Sequence, residues 1–223
     1  MEIVPGVYQI DLRVSNCYLI VDKSGLTLID AGLKRSFRTL VGFMDSLGHS
    51  PKELKTILLT HADLDHVGAA PKLKEISGAR IFTSQIEAEA LAEGRSSRPL
   101  QLGALTPLTA RLERLGGGMR IPVDQVLADG DLLPILGGME VVFSPGHTPG
   151  HISYYIPQYK LLFAGDSVST QPDTVLYNRM KIFNWDAGQM RASVQRQAAM
   201  QPAIVCSGHG PVVFRAADKF PSA

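Results

Sequence analysis

A chain of 223 residues is long enough for one well-buried domain or two small ones. Its 45% hydrophobic and 19% charged residues are ordinary for a globular protein, and 22 basic against 21 acidic residues, with no basic run interleaved with aromatics, give no electrostatic footprint for nucleic acid. The N-terminus, MEIVPGVYQIDLRV, lacks a basic flank followed by an apolar run. No segment approaches the roughly 20 apolar residues of a membrane span, and Cys17 and Cys206 are too few for a disulfide framework. A cytoplasmic location is the expectation.

The first third reads as strands. GVYQIDL alternates, NCYLIVD follows and LTLIDAG comes next, punctuated by Gly6, Ser24, Gly25, Ala31 and Gly32. This predicts an antiparallel meander. Phe37, Leu40, Val41, Met44 and Leu47 then share one helical face, with Gly48 placed to end the helix. LKTILLT reads as a short apolar strand, AAPKLKEISG as a helix and ARIFTS as another strand. Residues 84–118 read differently, as two helical patterns flanking a polar loop at 94–99. Pro107 stands where a first helical turn would begin, and glycines at 116–118 stop it. This segment is expected to be a helical insertion on a sheet domain. Its six leucines, Leu100, Leu102, Leu105, Leu108, Leu112 and Leu115, either pack onto the sheet or partly form a lid over the site. Phe183 and Trp185 either wall the opposite side or belong to the core. Strand patterns return at MEVVFSPG, ISYYIP and KLLFAGDS, and a helix around DAGQMRASVQRQAAM precedes the apolar strand in AIVCSGHGPV. The whole chain, 1–223, reads as one layered domain.

The chemistry-bearing residues share one context: each follows an apolar strand. His61 follows TILL, His147 follows EVVFSPG, Asp166 follows KLLFAG and His209 follows AIVCSG. Strand ends with glycine-rich loops are where a rigid sheet presents side chains to one pocket. In LLTHADLDHVG only His61 and Asp65 would share a helical face. The strand before and the glycine after predict instead a turn that splays His61, Asp63, Asp65 and His66 around a point, with Asp65 also placed to cap the following helix. Imidazole and carboxylate together are what a divalent cation requires. His151 is not free to chelate with His147 from a helix, because Pro149 and Gly150 lie between them; it reads as a supporting residue. His49 reads as solvated. Both cysteines lie in apolar strands and read as small buried hydrophobes.

THADLDH, SPGHTPGH, FAGDS and SGHGPV, in that order, resemble the metallo-β-lactamase superfamily, whose signature is H-x-H-x-D-H, then G-H-[ST]-P-G-H, then a strand ending in G-D, then a late G-H. The resemblance covers nearly the whole chain and implies an α+β fold, a four-layer αββα sandwich with a dinuclear metal site at one edge of its two sheets. Carried over, the first metal site would use His61, the position held by Asp63, and His147. The second would use Asp65, His66 and His209, with Asp166 bridging and Asp65 also orienting the nucleophile. The implied cofactors are two divalent ions, zinc first, with iron or manganese as alternatives. The implied function is a hydrolase attacking an ester, lactone, thioester or lactam carbonyl with a metal-bound hydroxide. The implied partner is a small-molecule substrate, with no nucleic acid or membrane, and with homodimerisation left open.

The chain departs from the family at Asp63, where histidine is the rule. Aspartate also ligates metals, and two histidines with a carboxylate make a known catalytic zinc set. The substitution leaves three outcomes: a dizinc site with Asp63 as ligand, a site preferring iron or manganese, or a weakened first site. Relatives with H-x-E-x-D-H are diiron flavoproteins, so a non-heme diiron protein reducing oxygen or nitric oxide with a separate electron donor is the alternative. The family's acyl-homoserine lactonases carry tyrosine three residues after the bridging aspartate; here that residue is Ser169.

Overall fold

The computed structural model describes residues 1–98, 119–178, 182 and 184–221. β1 (Glu2–Val4), β2 (Val7–Asp11), β3 (Asn16–Asp22) and β4 (Gly25–Ile29) pair antiparallel in chain order, the expected meander of β2 to β4 with β1 as an added strand. The period of two sorts their side chains between two cores. Tyr18 and Ile20 face the partner sheet, whereas Cys17 and Leu19 face a layer of helices. Both faces of β3 are covered, which is why NCYLIVD reads as a nearly unbroken apolar run.

α1 (Phe37–Ser46) then carries the chain to β5 (Leu54–Leu58), which pairs parallel with β4. Leu40 and Met44 are fully buried, and Phe37, Val41 and Leu47 pack beside them, the face expected from their spacing. A short α2 (Leu64–Val67) and α3 (Ala70–Ser77) lead to β6 (Arg80–Ser84), α4 (Gln85–Glu93) and β7 (Gln125–Leu127). The first sheet thus runs β1 to β7 in order. α4 ends at Gly94, at the start of the polar loop. The remainder of the expected insertion, with Pro107 and the six leucines, lies outside the described residues, as does Phe183.

The second half builds the facing sheet from β8 (Leu132–Leu133), β9 (Met139–Phe143), β10 (Ile152–Ile156), β11 (Leu161–Gly165), β14 (Ile204–Ser207) and β15 (Val213–Phe214), in the order β15-β14-β11-β10-β9-β8. Between β11 and β14 come a hairpin, β12 (Val168–Gln171) and β13 (Thr174–Tyr177), and α5 (Ala187–Ala199). The hairpin was not anticipated from sequence, although VSTQ and TVLY flank a Pro172-Asp173 turn.

Tyr18, Ile20, Ile29, Leu58 and Phe82 of the first sheet pack against Val141, Tyr154 and Phe163 of the second. α1, α3 and α4 cover the outer face of the first sheet. α5 and the hairpin cover that of the second, through Met190, Val194, Val168 and Val175. The result is the expected αββα sandwich in one domain. Each fully buried Leu, Ile or Phe at these interfaces contributes roughly 1.5–3 kcal/mol of transfer free energy. No helix among the described residues is long and apolar enough to cross a membrane.

Candidate metal centre

β9, β11 and β14 run in one direction, because β9 and β11 both oppose β10 and β14 parallels β11. Their C-terminal ends, with that of β5, therefore deliver His147, Asp166, His209 and His61 to one edge of the sandwich. Asp63 takes the N-cap position of α2 with extended backbone (φ −72°, ψ 144°), yet its side chain makes no capping bond. Asp65 and His66 lie within α2, so the expectation that Asp65 caps this helix is corrected: the cap position falls two residues earlier. The glycine in SGHG is dictated by space. A Cβ on Gly208 would stand 2.1 Å from Asp166 Oδ1 and 2.7 Å from His66 Cε1.

Among the described residues two donor groups result, His61 with His147 and Asp166, and Asp65 with His66 and His209. Asp166 stands between them. Its Oδ1 lies 3.4 Å from His66 Nε2, and its Oδ2 lies 3.5 Å from His147 Nε2 and 3.2 Å from His209 Nε2. Asp65 Oδ2 lies 3.7 Å from His66 Nε2 and 3.5 Å from His209 Nε2. Asp63 stands at the edge of the first group, with Oδ2 3.2 Å from His147 Nε2 and 3.6 Å from His61 Nε2.

The four imidazoles are held by their other nitrogen. His66 Nδ1 meets Asp30 Oδ2 at 2.8 Å and His209 Nδ1 donates to the Val14 carbonyl at 2.7 Å. His147 Nδ1 meets Asn184 Oδ1 at 3.1 Å. Thr60 Oγ1 spends its hydrogen on Asp30 Oδ2 at 2.9 Å, so it accepts from His61 Nδ1 at 2.9 Å. With Nδ1 so bonded, each ring when neutral can turn the lone pair of Nε2 toward the centre, the tautomer a metal-ligating histidine requires.

The donors fit a pair of cations. His61 Nε2, His66 Nε2 and Asp166 Oδ1 are buried without a hydrogen-bond partner, and buried polar atoms are normally paired. Donors around one tetrahedral zinc, at bonds of about 2.0–2.2 Å, stand roughly 3.3–3.6 Å apart, which matches the spacings found. The field also calls for positive charge. Burial opposes a charged His66, but Asp166 and Asp30 outweigh it and push the imidazole up to about 10. His209 is raised in the same way, burial being outweighed by Asp166. Burial likewise works against the Asp166 and Asp63 carboxylates, yet surrounding imidazoles hold both well below the usual carboxylate range.

His151 plays the supporting part read from sequence. Its Nε2 accepts the Asp166 backbone N–H at 3.0 Å, so its Nδ1 donates to Ser144 Oγ at 2.8 Å. Burial, with His61 and His147 nearby, pushes it well below its ordinary value. His49 is half-buried and pairs with Glu53 at 3.0 Å, away from the site. Both cysteines are buried, and burial raises both thiols well above their usual value.

Other residues that build the site were not singled out from sequence. Asp30 follows the apolar strand LTLI and precedes Ala31 and Gly32, the same pattern that marked the candidate ligands, so its signal was present. Glu87 gave no signal. Buried on α4, it accepts from the Ala62 N–H at 2.9 Å, Thr148 Oγ1 at 2.6 Å, Ser97 Oγ at 2.7 Å and the Gly150 N–H at 3.1 Å, tying together the loops that carry His61 and His147. Burial raises its carboxyl against these bonds. Ser96 and Arg98, in a polar loop, also gave none. Ser96 Oγ donates to Asp63 Oδ1 and Arg98 Nη2 to Asp63 Oδ2, each at 2.6 Å.

A profile of the metallo-beta-lactamase superfamily matches residues 10–209. The chain belongs to that superfamily. Among curated relatives, it is 27% identical to the probable metallo-hydrolase YflN of Bacillus subtilis, over 94% of this chain and 85% of that one. It is 32% identical to the hydroxyacylglutathione hydrolase GloC of Haemophilus influenzae, over 74% of this chain and 70% of that one. It spans 48% of the hydroxyacylglutathione hydrolase of Fuscovulum blasticum, at 30% identity over 70% of this chain. Among solved structures, a metallo-β-lactamase of Cronobacter sakazakii with a HARLDQ motif matches with a TM-score of 0.70 and 27% identity, over 93% of this chain and 79% of that one. Set beside HADLDH at residues 61–66, that motif carries arginine where this superfamily member carries Asp63. The superfamily match together with its hydrolase relatives makes the chain a metal-dependent hydrolase.

Proposed function

We propose that this superfamily member is a dinuclear hydrolase of acyl compounds, with thioesters and esters first and lactones and lactams after them. The observation that carries the dinuclear reading is the set of buried, unpartnered ligand atoms, His61 Nε2, His66 Nε2 and Asp166 Oδ1, on side chains whose other atoms are anchored. His61, Asp63 and His147 would hold one ion, and Asp65, His66 and His209 the other, with Asp166 between them. When bound, two such ions supply Lewis acidity and a water acidified to a pKa of about 7. Asp65 lines the cavity with its side chain 27% exposed, which suits it to orient the attacking water and accept its proton.

The substrate preference rests on the walls. A cavity of about 690 Å³ opens over the site, and Leu64, Val67, Leu91, Met119, Leu176 and Tyr177 line it. These side chains suit an apolar acyl group. Thioesters come first because relatives of 30–32% identity are hydroxyacylglutathione hydrolases. A panel of acyl thioesters, esters, lactones and β-lactams tests the reading. Thioester or ester hydrolysis that is lost on chelation and restored by zinc is expected. A panel without turnover by zinc-loaded protein contradicts it. One observation favours a second reading: the Asp63 carboxylate adds an oxygen donor, which suits iron and diiron redox chemistry. Oxygen or nitric oxide consumption by iron-loaded protein with an electron donor would establish that reading instead.

A further inference from the structure

Asp63 brings an extra negative charge to a place where the family carries a neutral imidazole. The sandwich answers it with one positive charge from outside every motif. Arg98 is only 4% exposed, and its Nη2 reaches Asp63 Oδ2 at 2.6 Å. Ser96 Oγ holds the other carboxylate oxygen at 2.6 Å. Both come from the loop that follows α4, and Ser97 of the same loop is bonded to the buried Glu87. The carboxylate is therefore gripped from its outer side, while Oδ2 still faces His147 Nε2 at 3.2 Å and His61 Nε2 at 3.6 Å. A carboxylate oxygen has two lone pairs, so Oδ2 can accept from Arg98 and still offer a lone pair to the centre. Ligating carboxylates are commonly hydrogen-bonded in this way.

We infer that Arg98 is a positioning residue for the first metal site: Asp63 and Arg98 together replace the family histidine as a charge-neutral pair, with Arg98 fixing the aim of Asp63 Oδ2. This rests on the dinuclear reading above and adds to it a determinant of first-site affinity. The pair is nearly buried. Breaking a buried pair by removing one partner costs more than replacing both partners together.

The test is cobalt(II) titration of the metal-free full-length chain, read by visible absorption and by metal retained per chain after gel filtration. The first-site phase is the one lost in His147→Ala. Arg98→Met is expected to weaken that phase by about 10–100-fold and leave the second-site phase in place. Arg98→Lys should recover part of it, because lysine restores the charge without the planar fork. Asp63→His alone should bind poorly at the first site, since it sets the Arg98 cation against the new imidazole, and Asp63→His with Arg98→Met should bind two equivalents. If Arg98→Met fails to fold, by thermal melting of the metal-free protein, the comparison of Asp63→His with the double variant decides. Wild-type cobalt binding and spectrum in Arg98→Met would overturn the inference while leaving the dinuclear reading intact. Equal first-site affinity in Asp63→His with and without Arg98 would overturn it likewise. A wild type that takes up a single equivalent would overturn the dinuclear reading, and the inference with it.

Discussion

Four imidazoles present Nε2 to the same centre because four different partners hold Nδ1: Thr60, Asp30, Asn184 and the carbonyl of Val14. Asp30 serves two of them, His66 directly and His61 through Thr60, whose backbone N–H it also accepts at 2.8 Å. Asp30→Ala is therefore expected to lower metal affinity at both sites, by about 10–100-fold where the contact is direct, in competition against a chromogenic chelator. Unchanged affinity would show that something else sets the ring orientations. The residues proposed as ligands were legible in the sequence because they follow apolar strands at their junctions with loops. The residues that aim them were less legible. Asp30 carried the same signal unread, whereas Glu87 and Arg98 reach the site only because α4 and its following loop fold over it, and no local pattern records that.

At the scale of elements, periodicity served where a segment buries one face. The face of α1 and the alternation of β2 follow from spacing, whereas β3 and β4 read as apolar runs between turn residues. It failed for β7, β8 and the β12–β13 hairpin, strands of two to four residues that are too short to show a period. The hairpin matters functionally, because Ser169, Leu176 and Tyr177 line the cavity. The start of β7 is held by charge as well as by packing. Asp124 accepts from Lys74 Nζ of α3 and, at 2.7 Å, from the Ile81 N–H of β6. Partial burial opposes its ionisation, but these bonds hold its carboxyl below the ordinary 3.8. Because the folded value lies below the unfolded one, the stabilisation is complete above pH 3.8 and is lost as pH falls through the lowered value. Asp124→Asn should cost roughly 0.5–1.5 kcal/mol at neutral pH, given its partial exposure. In urea denaturation the gap from wild type should close under acid conditions; a gap that persisted there would place the stabilisation elsewhere.

Over the whole molecule, the sandwich works as a rigid frame with one active edge. Packing of Tyr154 and Phe163 against Tyr18, Ile20 and Leu58 sets the two sheets face to face, and Tyr154 adds a bond from its hydroxyl to the Leu59 carbonyl at 2.9 Å, two residues before His61. That frame fixes the strand ends, and the strand ends fix the distances between the donor side chains. The αββα arrangement was legible through the order of the motifs rather than through strand and helix patterns, which were only compatible with it. The central claim is that this edge holds two ions with Asp63 as a ligand of the first. Metal content per chain, measured by mass spectrometry on protein purified without added metal or chelator, tests it most directly. The account predicts two ions, chiefly zinc. A single ion per chain would contradict it, showing that aspartate at position 63 breaks the first site.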